Sequence, residues 1–129
     1  MNTKILMVSS AVFLVAMGIL FSFFSQEIMI FLNGNVDSIT LIFLQILGSL
    51  YLGFGILNWM ARTNLIGGIY SKPLTIGNLA HFGISVIALL KIIFKTQTHV
   101  EILILLTITY AIFAICFGYV FMKNPGKLI

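Results

Sequence analysis

The chain has 129 residues, of which 60% are hydrophobic and 8% charged, with a formal net charge of +4 and a mean hydropathy of +1.17. Soluble domains carry roughly 25% charged residues, and seven Lys and Arg with three Asp and Glu do not coat the water-facing surface of a fold this long, so a soluble globular class is excluded. The basic residues are scattered singly without aromatic interleaving, which excludes nucleic acid as a partner and leaves the lipid bilayer as the partner the composition demands.

Crossing the hydrocarbon core takes about 20 apolar residues in helical form. Four segments meet that length: about 5–24, 39–60, 73–94 and 102–122. The links between them are short, so the spacing predicts one all-α domain over 1–129, a membrane-embedded antiparallel four-helix bundle.

The first segment, Ile5–Phe24, is longer than a signal-peptide core and lacks a small-x-small cleavage site before Gln26 and Glu27, so it reads as a retained helix. Ser9, Ser10, Gly18, Ser22 and Ser25 give it a face of small residues suited to close helix packing in lipid. Next, Ile28–Leu32 is apolar but too short to span, and predicts a segment that lies at the interface or folds back. Asn33-Gly34-Asn35 supplies turn chemistry, and Asp37 or Ser38 can cap the second helix.

Gly67-Gly68 allows a reversal after that helix. Ser71 can cap the third, where Pro73 suits a first turn because its missing N–H had no intrahelical partner there. His99, in the link between the third and fourth helices, reads as a solvated side chain. The fourth helix carries Thr107, Ala111, Ala114 and Gly118 as a small-residue stripe, and Tyr119 fits an aromatic belt. Cys116 is the single cysteine, an apolar filler with no intrachain disulfide partner. With the N-terminus cytoplasmic, five basic residues (Lys4, Arg62, Lys72, Lys123, Lys127) lie inside and two (Lys91, Lys95) outside, the direction of the positive-inside rule. Both termini are then cytoplasmic.

Polar residues at membrane depth collect on two helices. Gly48, Tyr51, Gly55, Asn58 and Arg62 recur on one face of the second, flanked by Gln45, and Asn78, His81, Ser85 and Ala88 on one face of the third. At ~1.5 Å per residue, Asn58 lies about 6 Å from Arg62, and Asn78 and His81 about 7 and 12 Å beyond Pro73. The expected site is a cytoplasmic-side polar pocket of Asn58, Arg62, Asn78, His81, Tyr51 and Gln45, serving either as interhelical hydrogen bonding or as a ligand site. Arg62 either snorkels to the headgroups or grips an anionic group, and Trp59 is an interface anchor.

His81 is the sharpest single candidate, since an intramembrane histidine can carry protons, ligate metal or haem, or bond a quinone or lipid carbonyl. No second histidine and no carboxylate lies in the spans, and Cys116 is their single cysteine, so no metal or haem site is completed and no metal and no cofactor is expected. No nucleophile elbow, zinc-protease motif, phosphate loop or carboxylate pair is present, and no catalytic residue is assigned.

The run Asn58-Trp59-Met60-Ala61-Arg62, with Gly67-Gly68-Ile69-Tyr70, Pro73, Gly77-Asn78 and His81-Phe82, resembles small four-helix bacterial membrane proteins of unknown function, broadly DoxX-like in size and span count. The resemblance is strongest over about residues 40–95, and it implies a bacterial inner-membrane location. The sequence therefore predicts a non-enzymatic accessory, scaffold or chaperone-like membrane subunit, working with a membrane-protein partner or a second copy. The alternative is a binder or carrier of a lipid, quinone or other amphipathic small molecule.

Overall fold

A computed structural model of the chain describes residues 2–64, 66 and 68–123. These are helical throughout their regular structure: α1 (Thr3–Phe23), α2 (Ser25–Phe31), α3 (Ser38–Ala61), a 3-10 turn (Ile69–Ser71), α4 (Lys72–Ile93) and α5 (Val100–Met122). Four stretches, Thr3–Phe23, Ser38–Ala61, Ile69–Ile93 and Val100–Met122, are long and apolar enough to cross a membrane, at 21, 24, 25 and 23 residues. With ~1.5 Å of rise per residue, each spans a hydrocarbon core ~30 Å thick. Every expected span begins and ends within two residues of an observed helix. Gly67, and the tail with Lys127, lie outside the described residues.

Local chemistry sets the helix starts. Asn2 Oδ1 accepts from the Lys4 amide at 3.0 Å at the head of α1. At α3, Asp37 is the cap: its carboxylate accepts from the Thr40 amide at 3.2 Å and the Thr40 hydroxyl at 2.5 Å. Pro73 sits in the first turn of α4 as expected, but Ser71 makes no side-chain cap. Its hydroxyl donates back to the Gly68 carbonyl at 3.1 Å, tightening the 3-10 turn instead. Asn33 takes a left-handed φ of 55°, a conformation asparagine tolerates better than most residues, and so completes the turn out of α2.

The chain divides into two compact units, Met7–Thr63 and Met1–Leu6 with Asn64–Ile129. In the Met7–Thr63 unit the buried positions of α1 include Met7, Ser10, Ala11, Leu14 and Gly18, and those of α3 are Gly48, Tyr51, Gly55 and Asn58. Met7, Ala11, Leu14 and Gly18, like the α3 set, recur at spacings of three and four, the seam of two helices packed side by side. The backbones touch at that seam. A Cβ built on Gly48 would stand 2.6 Å from the Ser22 amide nitrogen and 2.9 Å from the Gly18 carbonyl oxygen, and one on Gly55 would stand 3.0 Å from the Val15 nitrogen. Ser22 opposes Gly48 while Val15 opposes Gly55, so α1 and α3 run antiparallel. The short segment between them is folded back rather than left extended: α2 is seven residues long and is tied to α3 by Gln45 Nε2 donating to the Ser25 hydroxyl at 3.3 Å.

In the other unit α4 packs along α5 through rings. Phe82, fully buried, stacks on Phe113 at 4.8 Å and Phe117 at 5.9 Å and meets Tyr110 edge-on at 5.3 Å. The small-residue stripe of the fourth span does not produce the close backbone approach seen at Gly48. A Cβ on Gly118 would meet the Leu79 Cδ1 at an ordinary 3.6 Å, because large rings already fill this seam.

Two expectations follow from these contacts. Gly48→Leu forces the α1 and α3 backbones apart and lowers unfolding free energy by at least about 1–3 kcal/mol, whereas Gly53→Ala, where a Cβ meets nothing within 4 Å, changes it by less than about 0.5 kcal/mol. Reversible unfolding in mixed micelles measures both. The Thr40 hydroxyl and amide hold the Asp37 carboxyl below the usual carboxylate range. A depressed pKa means that the capping contribution is complete above the ordinary carboxylate range and is lost as pH falls through the lowered value. Acid titration should therefore loosen the first turn of α3 in the wild type and leave Asp37→Asn nearly flat, as followed by amide exchange at Thr40 corrected for the intrinsic pH dependence.

Candidate functional site

Asn58 is fully buried in α3, one turn before the helix ends, and its Nδ2 donates to Ser10 Oγ at 3.0 Å. Ser10, also fully buried, in turn donates its hydroxyl proton to the Met7 carbonyl at 3.1 Å. One hydroxyl thus accepts and donates at once, and the amide that would cost several kcal/mol unpaired in hydrocarbon is held across α1 and α3. Sequence reasoning set Asn58 opposite the third span and missed Ser10 as its partner. The signal was there, because Ser10 lies on the small-residue face of the first segment.

Around this bond the other α3 residues take up separate posts. Tyr51 is buried and meets Phe21 of α1 edge-on at 5.3 Å. Gln45 is engaged by Ser25. Arg62 caps the C-terminal end of α3, where a cation opposes the negative end of the helix dipole. Its Nη1 donates to the Trp59 carbonyl at 2.6 Å, and its guanidinium carbon lies 4.2 Å from the centre of the Trp59 ring. Trp59 is 46% exposed, so the pair forms a cation on an aromatic platform at the surface.

The remaining expected residues belong to α4. Asn78 is fully buried, and its Nδ2 donates to the Leu74 carbonyl one turn back at 2.9 Å. Thr75, equally buried, donates to the Ser71 carbonyl at 3.0 Å. His81 is set among rings, 4.9 Å from Phe82 and 5.7 Å from Tyr110 on α5. Tyr110 is 2% exposed and was not among the expected site residues, since one of two tyrosines nine positions apart in an apolar helix carries no pocket signal in its spacing. The expected pocket draws Asn58, Arg62, Tyr51 and Gln45 from one unit and Asn78 and His81 from the other; of these, Asn58 and Tyr51 meet α1, Gln45 meets α2, Arg62 meets Trp59 of its own helix, Asn78 bonds its own helix backbone and His81 lies beside Tyr110 of α5. Among the described residues no three His, Cys, Asp or Glu side chains come together as a metal site would require.

One cavity adds a feature that spacing alone did not reveal. Along the α1–α3 pair, Ala11, Val12, Val15, Ala16 and Ile19 line a groove of about 480 Å³ together with Ile56 and Trp59. Its lining carries no polar side chain. Its Trp59 wall is the ring that holds the Arg62 guanidinium.

These features define a multi-pass α-helical membrane protein in which the buried Asn58 bonds helix to helix and the buried Thr75 and Asn78 bond side chain to backbone. No family model, curated protein or solved structure matches the chain.

The Ser10–Asn58 bond is testable by a double-mutant cycle. Ser10→Ala and Asn58→Ala should each destabilise the protein in mixed micelles, with a coupling energy of about 0.6 kcal/mol and no more than about 1.7 kcal/mol. Additive losses would show that the two side chains do not share a bond.

Proposed function

We propose that the protein is a non-enzymatic integral membrane subunit, an accessory, scaffold or chaperone-like component that acts by presenting helix surface to a membrane-protein partner or to a second copy. The observation that carries this reading is the Asn58–Ser10 bond, in which the most deeply buried amide of α3 is spent on holding α1 rather than being turned toward a reactant. Asn78 and Thr75 are spent in the same way on their own helix backbone. Outward, α3 offers large apolar side chains such as Ile39, Phe43, Leu50 and Met60, each more than half exposed. Such a ridge suits lateral packing in lipid.

The same proposal includes the finer architecture and location: an antiparallel four-helix bundle in a bacterial inner membrane, with both termini cytoplasmic. Cations at the C-terminal ends of α3 and α5 support that side assignment. Arg62 rests on Trp59, and Lys123 lies 4.7 Å from the Tyr119 ring centre, the pairing expected where a helix leaves the membrane toward the positively charged side. The resemblance to small DoxX-like four-helix proteins agrees with it.

A second reading, a binder of a lipid, quinone or other amphipathic small molecule, is favoured by the groove beside Trp59 and Arg62. Gentle extraction of the tagged protein from native membranes, followed by mass spectrometry of proteins and lipids, separates the two. A stoichiometric protein partner is the expected result. Recovery of the protein with a retained small molecule and no partner would favour the second reading, and recovery with neither would sink both.

A further inference from the structure

We infer that the α1–α3 groove is a binding site for one anionic phospholipid, with an acyl chain lying along Ala11–Ile19 and the phosphate held by Arg62. This rests on the second reading above and narrows it to one class of ligand and one set of residues.

Length and lining argue for the chain. From Ala11 to Ile19 the groove follows α1 for about 12 Å, most of the ~15 Å that one leaflet of hydrocarbon occupies. Its volume of about 480 Å³ falls within the roughly 300–1,000 Å³ of small-molecule sites. The small side chains of Ala11, Val12, Val15 and Ala16 and the large ones of Ile19, Ile56 and Trp59 line it with almost wholly apolar surface, so the groove suits a flexible apolar chain.

The Trp59 end argues for the headgroup. Arg62 lies one turn beyond Trp59 at the end of α3, where the span meets the headgroup layer. Its guanidinium is held in place by the Trp59 ring and carbonyl, through one Nη1 bond at 2.6 Å. A guanidinium has five N–H donors in a planar fork, so the fixed side chain still presents donors suited to phosphate oxygens. An apolar groove walled by the same ring that carries a cation is complementary in shape and charge to an anionic phospholipid. A zwitterionic lipid brings its own ammonium and gains less, and a neutral quinone offers the guanidinium carbonyl acceptors without a charge.

Trp59 is the only tryptophan in the chain, which makes the groove observable without a label. The full-length protein is reconstituted in phosphatidylcholine vesicles containing either brominated phosphatidylglycerol or brominated phosphatidylcholine at equal mole fraction, and contact quenching of Trp59 is recorded. The expected result is an apparent preference of about fivefold for the brominated anionic lipid, the size that one basic side chain contributes beside an anionic surface. Arg62→Gln should abolish that preference, while Lys72→Gln, an equal change in net charge, should preserve it. Ala16→Phe, a larger side chain at an exposed lining position outside the buried set of α1, should fill the groove and reduce quenching by both lipids to the level of random bulk contact.

Equal quenching by the two lipids, above bulk contact and sensitive to Ala16→Phe, would overturn the headgroup assignment while leaving an amphipath-binding groove. Quenching at bulk level for both lipids in the wild type would overturn the groove itself. Equal loss of preference in Arg62→Gln and Lys72→Gln would reduce the effect to net charge and overturn the site. Helicity by circular dichroism in the same vesicles identifies any variant that has failed to fold, and Arg62→Lys, which keeps the charge without the fork, then replaces Arg62→Gln as the decisive comparison.

Discussion

Where Gly48 passes Ser22, the backbones of α1 and α3 come close enough that a single added carbon would collide with the amide nitrogen across the seam. This approach governs the Met7–Thr63 unit. In lipid no hydrophobic force gathers apolar helices, because the tails are as apolar as leucine; close backbone packing and hydrogen bonds must do so. Glycine at 48 and 55 permits the first. The resulting register, with Val15 beside Gly55 and Ser22 beside Gly48, sets Ser10 beside Asn58 and permits the second. A one-residue slip of either helix would turn Asn58 about 100° away from its acceptor and leave an amide unpaired in hydrocarbon.

The two seams solve one problem with different side chains. On α1–α3 the helices are drawn together by missing side chains and a polar cross-link. On α4–α5 they are joined by large rings, with Phe82 stacked between Phe113 and Phe117 and His81 and Tyr110 beside it. Polar groups on α4 accordingly turn to their own backbone: Thr75 and Asn78 each donate to a carbonyl one turn earlier. Such back-bonding satisfies the donor without requiring a neighbour, which suits a helix whose packing face is aromatic. On α5, Thr107 does likewise, donating to the Leu103 carbonyl at 2.6 Å.

How much of this was legible in the sequence depends on the range of the interaction. Span positions were readable to within two residues because a bilayer imposes length and apolarity directly. The Asp37 cap and the Pro73 first turn were readable because their partners lie three or four residues away. The Gly48-Tyr51-Gly55-Asn58 face was also visible as a stripe. Its partner was not, since periodicity reports which residues share a face and says nothing of which helix that face meets. Ser10 and Asn58 are 48 positions apart, and both had been noted on separate grounds. Tyr110 and the groove were illegible for a further reason: each is made by the shapes of neighbouring side chains, which have no signature in spacing.

The groove follows from the same packing that closes the seam. Two helices brought together along glycines leave a shallow furrow where their cylinders diverge, and its depth depends on the residues that flank the contact. Here α1 presents Val12 and Ala16 beside Val15, whose side chain packs against Gly55, and α3 contributes Ile56 and Trp59. Replacing Ala16 with leucine would close the furrow without touching the seam, so the space is a property of small side chains beyond those that helix contact requires. Trp59 completes it in a way an aliphatic residue would not: one ring walls the groove and carries the Arg62 guanidinium. Cation and apolar surface are thereby joined through a single side chain, which makes the end of α3 amphipathic.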